Sequence, residues 1–130
     1  MKIVLMVLLV GFSFMATPAL ASEPELSQRY TACMERSEGI TIDMHACIAA
    51  EHERQDGRLN LAYKQLSNQL SDDRKKQLLA AQRLWIQFRG ANCAFYADPD
   101  GGTLANLDGA TCELEATASR AAELERFLDR

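Results

Sequence analysis

Strand-like alternation, frequent proline and glycine, and an excess of positive charge are all missing from this sequence. Only 3 prolines and 7 glycines occur in 130 residues, which excludes a collagen-like or low-complexity chain. The formal net charge is −4, so the chain lacks the strongly basic character that is typical of nucleic-acid binding. Hydrophobic residues make up 48% and charged residues 25%, a mix that indicates one globular domain and not a disordered chain.

Patterns that carry catalysis or bind metal are also missing. No Gly-rich phosphate loop and no spacing typical of a Ser/His/Asp triad occurs. His45 and His52 are one heptad apart, and with Cys47 they form only a loose metal-ligand grouping without a CxxC motif. Glu51 and Glu53 stand two residues apart, and such residues do not face each other on a helix, so we expect them to be solvated surface acids. The sequence predicts no enzyme, no metal site and no cofactor.

The one long apolar run lies at the start of the sequence. Lys2 precedes an apolar stretch from Ile3 to Met15, and Ala19-Leu20-Ala21 forms an A-x-A cleavage signal. The run has about 13 residues, fewer than the roughly 20 that a membrane-spanning helix needs. We interpret residues 1–21 as a cleaved signal peptide and 22–130 as the mature domain, with an uncleaved membrane anchor as the alternative. Cleavage predicts a periplasmic or secreted protein without membrane attachment.

The cysteines give the clearest structural signal. They are Cys33, Cys47, Cys93 and Cys112. An even number in an exported chain favours two disulfides. The first two lie symmetrically about a predicted turn at Gly39-Ile40, and the last two about Gly101-Gly102. Because residues equidistant from a chain reversal become neighbours on antiparallel flanks, we predict a Cys33–Cys47 and a Cys93–Cys112 disulfide.

Apolar residues recur at steps of three and four through the rest of the chain, the periodicity of amphipathic helices. We predict an all-α bundle of four helices: 25–35, a second from Thr41 or Ile42 to Leu70, a third after an N-cap at Ser71, and a last one from Thr111. The third helix carries a stripe with a period of about 3.5 residues, formed by Leu78, Ala81, Trp85, Phe88, Asn92 and Phe95. A breaker cluster at 98–102 opens a predicted loop of about a dozen residues.

The second and third helices are predicted to form a long central antiparallel hairpin that reverses at Leu70-Ser71. Its register places polar residues on the buried seam: His52, Glu53, Gln55 and Asp56 on the second helix, and Arg89 and Asn92 on the third. We expect Arg89 to pair with Glu53 or Asp56 in a buried network that fixes the helix register. The alternative is that this seam forms the floor of a binding site.

The order of cysteine, aromatic and polar residues resembles a known family. The pattern comprises Cys47, Asp56-x2-Leu59-Asn60-x2-Tyr63, Gln82-x2-Trp85-x2-Phe88-Arg89-x3-Cys93 and Cys112-x4-Thr117-x2-Arg120-x3-Leu124. Over roughly Cys33 to Leu124 it is similar to the lysozyme-inhibitor LprI-like family of small exported bacterial proteins. The resemblance implies an all-helical, disulfide-linked domain and, for at least one member, inhibition of lysozyme.

The acidic composition suits such a partner. Many lysozymes are strongly basic, and an acidic chain speeds encounter with a basic protein. The predicted loop 98–108 lies next to a predicted disulfide and contains Asp98, Asp100 and Asp108. This loop is therefore a candidate for insertion into a cationic cleft of the partner. The alternative is a solvated connector, since Asp and Gly are common in any loop.

The sequence therefore predicts an exported binding protein that inhibits a lysozyme-type muramidase by occupying its cleft. The alternative is a periplasmic helical adaptor or chaperone-like module without inhibitory activity, whose expected mark is an exposed apolar groove. The expected partner is a protein and not a nucleic acid, and the oligomeric state stays open.

Overall fold

The computed structural model describes residues 25–130, which form four helices and no strand. The helices are α1 (Gln28–Arg36), α2 (Thr41–Gln69), α3 (Asp72–Tyr96) and α4 (Gly102–Leu128). The predicted all-α class and the number of helices are confirmed. Within the described range, no helix is long and apolar enough to cross a membrane. The predicted signal peptide, 1–21, lies outside the described residues.

Local chemistry explains where the first helices begin and end. α1 starts after Ser27, whose Oγ accepts a hydrogen bond from the Tyr30 N–H at 3.2 Å, the usual bond of an N-cap. The turn to α2 passes through Glu38 and Gly39, both with positive φ. The change of direction between α2 and α3 falls at the predicted place, because Leu70 and Ser71 both have extended backbone. Ser71 occupies the N-cap position, although its side chain makes no capping hydrogen bond.

The main core lies between α2 and α4, which run parallel. His52 Nε2 lies 3.3 Å from Thr117 Oγ1, and Arg58 donates to Glu125 at 2.6 Å about two turns further along both helices. Two clusters of buried residues fill this interface. They are Ile48, Leu107 and Leu114 at one end, and Ala62, Leu66 and Leu124 at the other.

α3 packs antiparallel against α4 and makes little contact with α2. The Cys93–Cys112 disulfide joins α3 to α4 at one end, and Arg120 donates to Gln82 at 3.1 Å further along. The predicted packing of α2 directly against α3 is therefore wrong, although the chain does reverse between them. α4 is the common neighbour because it offers small, fully buried residues on its inner faces, which let other helices approach closely.

The apolar stripe predicted on α3 does not face one neighbour. Half of its members are partly buried, namely Leu78, Trp85 and Asn92, and the other half are exposed, namely Ala81, Phe88 and Phe95. The buried residues of α3 are Gln82 and Cys93. The disulfide and the Gln82 hydrogen bond fix the rotation of α3, so α3 turns a largely polar face to α4.

The predicted loop after α3 is much shorter than expected. α4 begins at Gly102, so residues 103–110 are helical and Asp108 lies on α4. A tight turn replaces the loop: the Gly101 N–H donates to the Asp98 carbonyl at 3.0 Å, and the Asp100 N–H donates to Asp98 Oδ1 at 2.9 Å. Helix 103–110 forms because it carries an apolar face of its own, and its Ala105 is buried.

Candidate functional site

Both predicted disulfides are present. Cys33 and Cys47 join α1 to α2 with Cα atoms 5.7 Å apart, and Cys93 and Cys112 join α3 to α4 with Cα atoms 5.4 Å apart. No described cysteine is free. The second disulfide holds the end of the molecule at which the three candidate binding acids lie.

The three predicted partner-binding acids lie at the same end of the molecule, although Asp108 lies on α4 and not in the predicted loop. Asp98 and Asp100 are exposed in the turn between α3 and α4, and Asp108 is exposed near the start of α4. Glu115 is also exposed, two helical turns beyond Asp108 on the same face. We call Asp98, Asp100, Asp108 and Glu115 the acidic tip. Sequence reasoning missed Glu115 because it placed Asp108 in a loop rather than on the helix that carries both.

An open groove of about 530 Å³ runs between α3 and α4 beside the acidic tip. It is lined by Asn92, Tyr96, Asp108, Thr111, Cys112, Glu115, Ala116 and Ser119. Asp108 and Glu115 line it from the α4 side, and Tyr96 lines it from α3. Carboxylates beside an aromatic ring form a suitable environment for a lysine or arginine side chain.

The tip is held by close backbone packing as well as by the disulfide. A Cβ atom on Gly109 would lie 2.5 Å from the Ala97 Cβ and 3.2 Å from its Cα. Gly109 is therefore the residue that lets the end of α3 approach α4, and its buried position fits that role. The sequence shows this glycine inside a helical pattern, but only the tertiary contact reveals its function.

Two exposed aromatic rings flank the acids. Phe95 is 84% exposed and Tyr96 53%. Their ring centroids are 6.2 Å apart in an edge-to-face arrangement. Aromatic side chains are enriched at the centres of protein interfaces, while charged groups lie at the rims. The end of α3 thus has the composition of a protein-binding surface.

The predicted polar seam exists in part, with a different partner for its arginine. Arg89 Nη1 donates to Thr117 Oγ1 at 2.8 Å, and His52 contacts the same hydroxyl. The predicted pairing of Arg89 with Glu53 or Asp56 is wrong because α4 supplies the facing residue. Glu53 is exposed, and Asp56 accepts a hydrogen bond from its helix neighbour Asn60 at 2.9 Å.

The rest of the Arg89 environment is aromatic and polar. The Arg89 guanidinium lies 5.0 Å from the centroid of Trp85, and Arg120 lies 5.9 Å from the same ring. Asn92, the other predicted member on α3, approaches Cys112 Sγ through Nδ2 at 3.6 Å. The Arg120–Trp85 and Asn92–Cys112 contacts cross from α3 to α4 and help to fix their register. Asn92 also lines the groove between these two helices.

Gln55 belongs to a separate network around Glu51. The Glu51 carboxylate is fully buried, so the prediction of a surface acid is wrong. It accepts hydrogen bonds from the Ser27 N–H at 2.8 Å, the Ser27 hydroxyl at 2.6 Å and Gln55 Nε2 at 2.8 Å. Arg54 also donates to it, through Nε at 2.8 Å. The carboxylate thereby anchors the start of α1 to α2.

The pKa of Glu51 reflects two opposing causes. Burial raises the pKa, but the hydrogen bonds from Ser27, Gln55 and Arg54 outweigh it and lower the pKa to about 2. Helical spacing could have identified this residue, because Ile48, Glu51 and Gln55 follow one another at steps of three and four on the buried stripe of α2.

The histidines and neighbouring acids show no metal-binding geometry. Among residues 25–130, no group of three His, Cys, Asp or Glu side chains is arranged to hold a metal ion. His45 and His52 border a groove of about 210 Å³ between α2 and α4, together with Glu113.

Comparison with known proteins agrees with this architecture. No curated protein and no solved structure matches the chain significantly. The model of one protein family, described as lysozyme inhibitor LprI, matches residues 33–124. The matched range begins at the first cysteine of the α1–α2 disulfide and extends to the buried Leu124 near the end of α4. The matched family and the two disulfides together indicate an extracytoplasmic protein with a protein partner. The chain belongs to the lysozyme inhibitor LprI family.

Proposed function

We propose that this protein inhibits a lysozyme-type muramidase by inserting its acidic tip into the cleft of the enzyme. The observation that carries the proposal is the combination of exposed acids and an exposed aromatic pair on a support that is fixed by the Cys93–Cys112 disulfide. A preorganised tip loses little conformational entropy on binding. The family supplies the class of partner, and the tip supplies a surface that suits a basic cleft.

Charge is expected to act mainly on encounter. Asp98, Asp100 and Asp108 are exposed carboxylates without a salt bridge among the described residues. Unpaired rim acids draw a basic protein toward this end and raise the association rate. Their effect falls with added salt because the screening length at physiological ionic strength is only about 8 Å.

The groove beside the tip is expected to provide the specific contact. A lysine or arginine of the enzyme that enters the groove meets the Tyr96 ring and the carboxylates of Asp108 and Glu115. A cation held by both kinds of group makes a charge-assisted hydrogen bond and a cation–π contact. This contact is expected to slow dissociation, in contrast to the rim acids.

The first experiment replaces Asp98, Asp100 and Asp108 with Asn and measures binding to a basic lysozyme by surface plasmon resonance at several salt concentrations. We expect slower association and a flatter salt dependence than for the unmodified protein. The matched control is Glu35→Gln, Glu53→Gln and Asp129→Asn, which removes the same charge from exposed sites elsewhere. An equal loss in both variants would show that only net charge matters, and would contradict the tip as the contact.

Inhibition kinetics test whether the cleft itself is occupied. Inhibition should be competitive with a soluble oligosaccharide substrate, because the tip and the sugar chain would use the same space. Binding without competition would refute cleft occupation. No effect on any lysozyme at micromolar protein and low salt would refute the inhibitor proposal altogether.

The exposed face of α3 favours one second candidate, a helical adaptor that binds a protein without inhibiting it. Phe88 and Phe95 give this face the exposed apolar character that an adaptor needs. Capture of a muramidase with full retention of its activity would favour this candidate over the inhibitor.

A further inference from the structure

The outward face of α3 carries an apolar stripe at heptad spacing. It consists of Ala81, Leu84, Phe88, Ala91 and Phe95, at steps of three and four residues. Leu84 is 66% exposed, Phe88 64% and Phe95 84%. A strict three-four alternation of apolar residues is the pattern of a helix that packs against another helix. The described part of the chain supplies no such helix, because α3 contacts α4 through a different face, which carries Gln82, Arg89 and Cys93.

We propose that this stripe is a self-association surface through which two copies of the chain pair, with their α3 helices antiparallel. The proposal does not depend on lysozyme inhibition. The groove next to the acidic tip is lined from α3 by Asn92 and Tyr96, which are not members of the stripe. Pairing would cover Phe95, one ring of the exposed aromatic pair, and leave Asn92 and Tyr96 outside the seam.

The sizes of the residues fit an antiparallel second copy. With the two-fold axis between Phe88 and Ala91, the Phe88 ring of one copy lies opposite Ala91 of the other. Leu84 then lies opposite Phe95 at both ends of the same seam. Each bulky ring faces a smaller residue, which is the arrangement that fills a helix–helix interface without overpacking. A two-fold axis requires this kind of self-complementary surface.

Charge favours the antiparallel direction. The N-terminal half of α3 carries four cations, Arg74, Lys75, Lys76 and Arg83, of which Lys75 and Lys76 pair with Asp72 and Asp73. The pairing leaves a net positive charge there, whereas Asp98 and Asp100 follow the other end of the helix. A parallel pair would bring two acidic tips together. An antiparallel pair puts each tip near the cationic turns of the second copy and leaves the tips at opposite ends of the dimer.

The area is of the right order for a reversible dimer. α3 has 25 residues and is therefore about 37 Å long. An aromatic side chain buries about 150–250 Å². Phe88, Phe95 and Leu84 can thus supply about half of the roughly 800 Å² per partner of a standard interface. The small residues and the stems of flanking side chains would add the rest, so we expect dissociation in the micromolar range.

The experiment is sedimentation of the oxidised protein, as it is recovered after export, across a concentration series in the micromolar range. We expect the mass to rise from one copy toward two as the concentration increases. Phe88→Glu should remain monomeric throughout with an unchanged circular dichroism spectrum. The matched control is Leu61→Glu, which introduces the same charge at a 57% exposed position on α2 and should still dimerise.

Several results would overturn the proposal. They are a monomer at every concentration, dimers that survive Phe88→Glu, and equal dissociation of both variants. A monomeric protein whose lysozyme affinity falls with Phe88→Glu would assign the stripe to that partner instead. A spin label on Lys76→Cys tests the direction, since antiparallel pairing separates the two labels and a short distance between them would refute it.

Discussion

Glu51 shows how one side chain can couple the fold to pH. Its carboxylate is fully buried, and its pKa falls from 4.5 to about 2 because four hydrogen bonds outweigh the effect of burial. A lowered pKa in the folded state means that the charged form stabilises the fold. This contribution is complete above the unfolded pKa of 4.5 and is lost as the pH falls toward 2.

We predict that the free energy of unfolding decreases by about 3 kcal/mol between pH 6 and pH 2 through Glu51 alone. Urea unfolding monitored by circular dichroism measures this decrease. Glu51→Gln should lower stability at neutral pH by about 2 kcal/mol and remove most of the acid dependence. The control is Glu53→Gln, an exposed neighbour on α2, which should change neither quantity. If the free energy of unfolding of Glu51→Gln still fell by the same amount between pH 6 and pH 2, Glu51 would not be the group that couples stability to pH.

Thr117 is the residue on which the polar seam converges. Its hydroxyl accepts a hydrogen bond from Arg89, contacts His52 and donates to the Glu113 carbonyl at 2.7 Å. We predict that Thr117→Val, which keeps the shape, lowers the free energy of unfolding by about 1–3 kcal/mol because Arg89 loses its partner. Thr103→Val, at an exposed position of α4, serves as the control in thermal melts. Lysozyme binding that fell while stability stayed the same would indicate a site instead of a structural network.

At the scale of helices, glycines distinguish tight packing from open surface. Gly109 lies against Ala97, so we predict that Gly109→Ala forces the end of α3 away from α4 and destabilises the protein by about 1–3 kcal/mol. Gly57 and Gly90 have no atom within 4 Å of an added Cβ. Alanine at either of these helical positions should stabilise by up to about 1 kcal/mol. Chemical denaturation of the three single variants measures the change in the free energy of unfolding, which should be negative for Gly109→Ala and positive for alanine at Gly57 or Gly90. Changes of the same sign in all three variants would contradict the close packing of Gly109.

At the scale of the whole molecule, stability is unevenly distributed. The α2–α4 interface contains the buried clusters, whereas Gln82 and Cys93 are the only buried residues of α3. The Cys93–Cys112 disulfide is therefore a principal link between α3 and the rest. A disulfide that closes a loop of this length contributes about 3 kcal/mol.

We predict that replacing Cys93 and Cys112 together with Ala speeds hydrogen exchange in the C-terminal half of α3 far more than in α2 or in the second half of α4. The same variant should inhibit lysozyme less, because the acidic tip loses its support. Replacing Cys33 and Cys47 is the control and should release α1 without affecting inhibition. Uniformly faster exchange in the first variant would show that the four helices unfold as one unit.

The sequence by itself determined the elements of this protein. Helical periodicity predicted the number of helices and the extents of the second and third, and symmetry about two turns predicted both disulfides, because these features depend on residues close together in the chain. The start of α4 was predicted nine residues too late, because the breaker cluster 98–102 was extended into a loop. The resemblance carried by Gln82, Trp85, Arg89 and Cys93 gave the family that the family model confirms. The prediction that Asp98, Asp100 and Asp108 share one loop was wrong for Asp108, which lies on α4, and the role of these acids in binding stays a prediction.

Only the tertiary structure decided which faces meet. The sequence shows that α2 and α3 are neighbours in the chain, but the small buried residues of α4 make α4 the neighbour of both. Arg89 accordingly binds Thr117, Glu51 is buried by Ser27, and Phe88 and Phe95 face outward. Each outcome depends on residues far apart in sequence, whose contacts are set by the packing free energy of the whole bundle and not by local pattern.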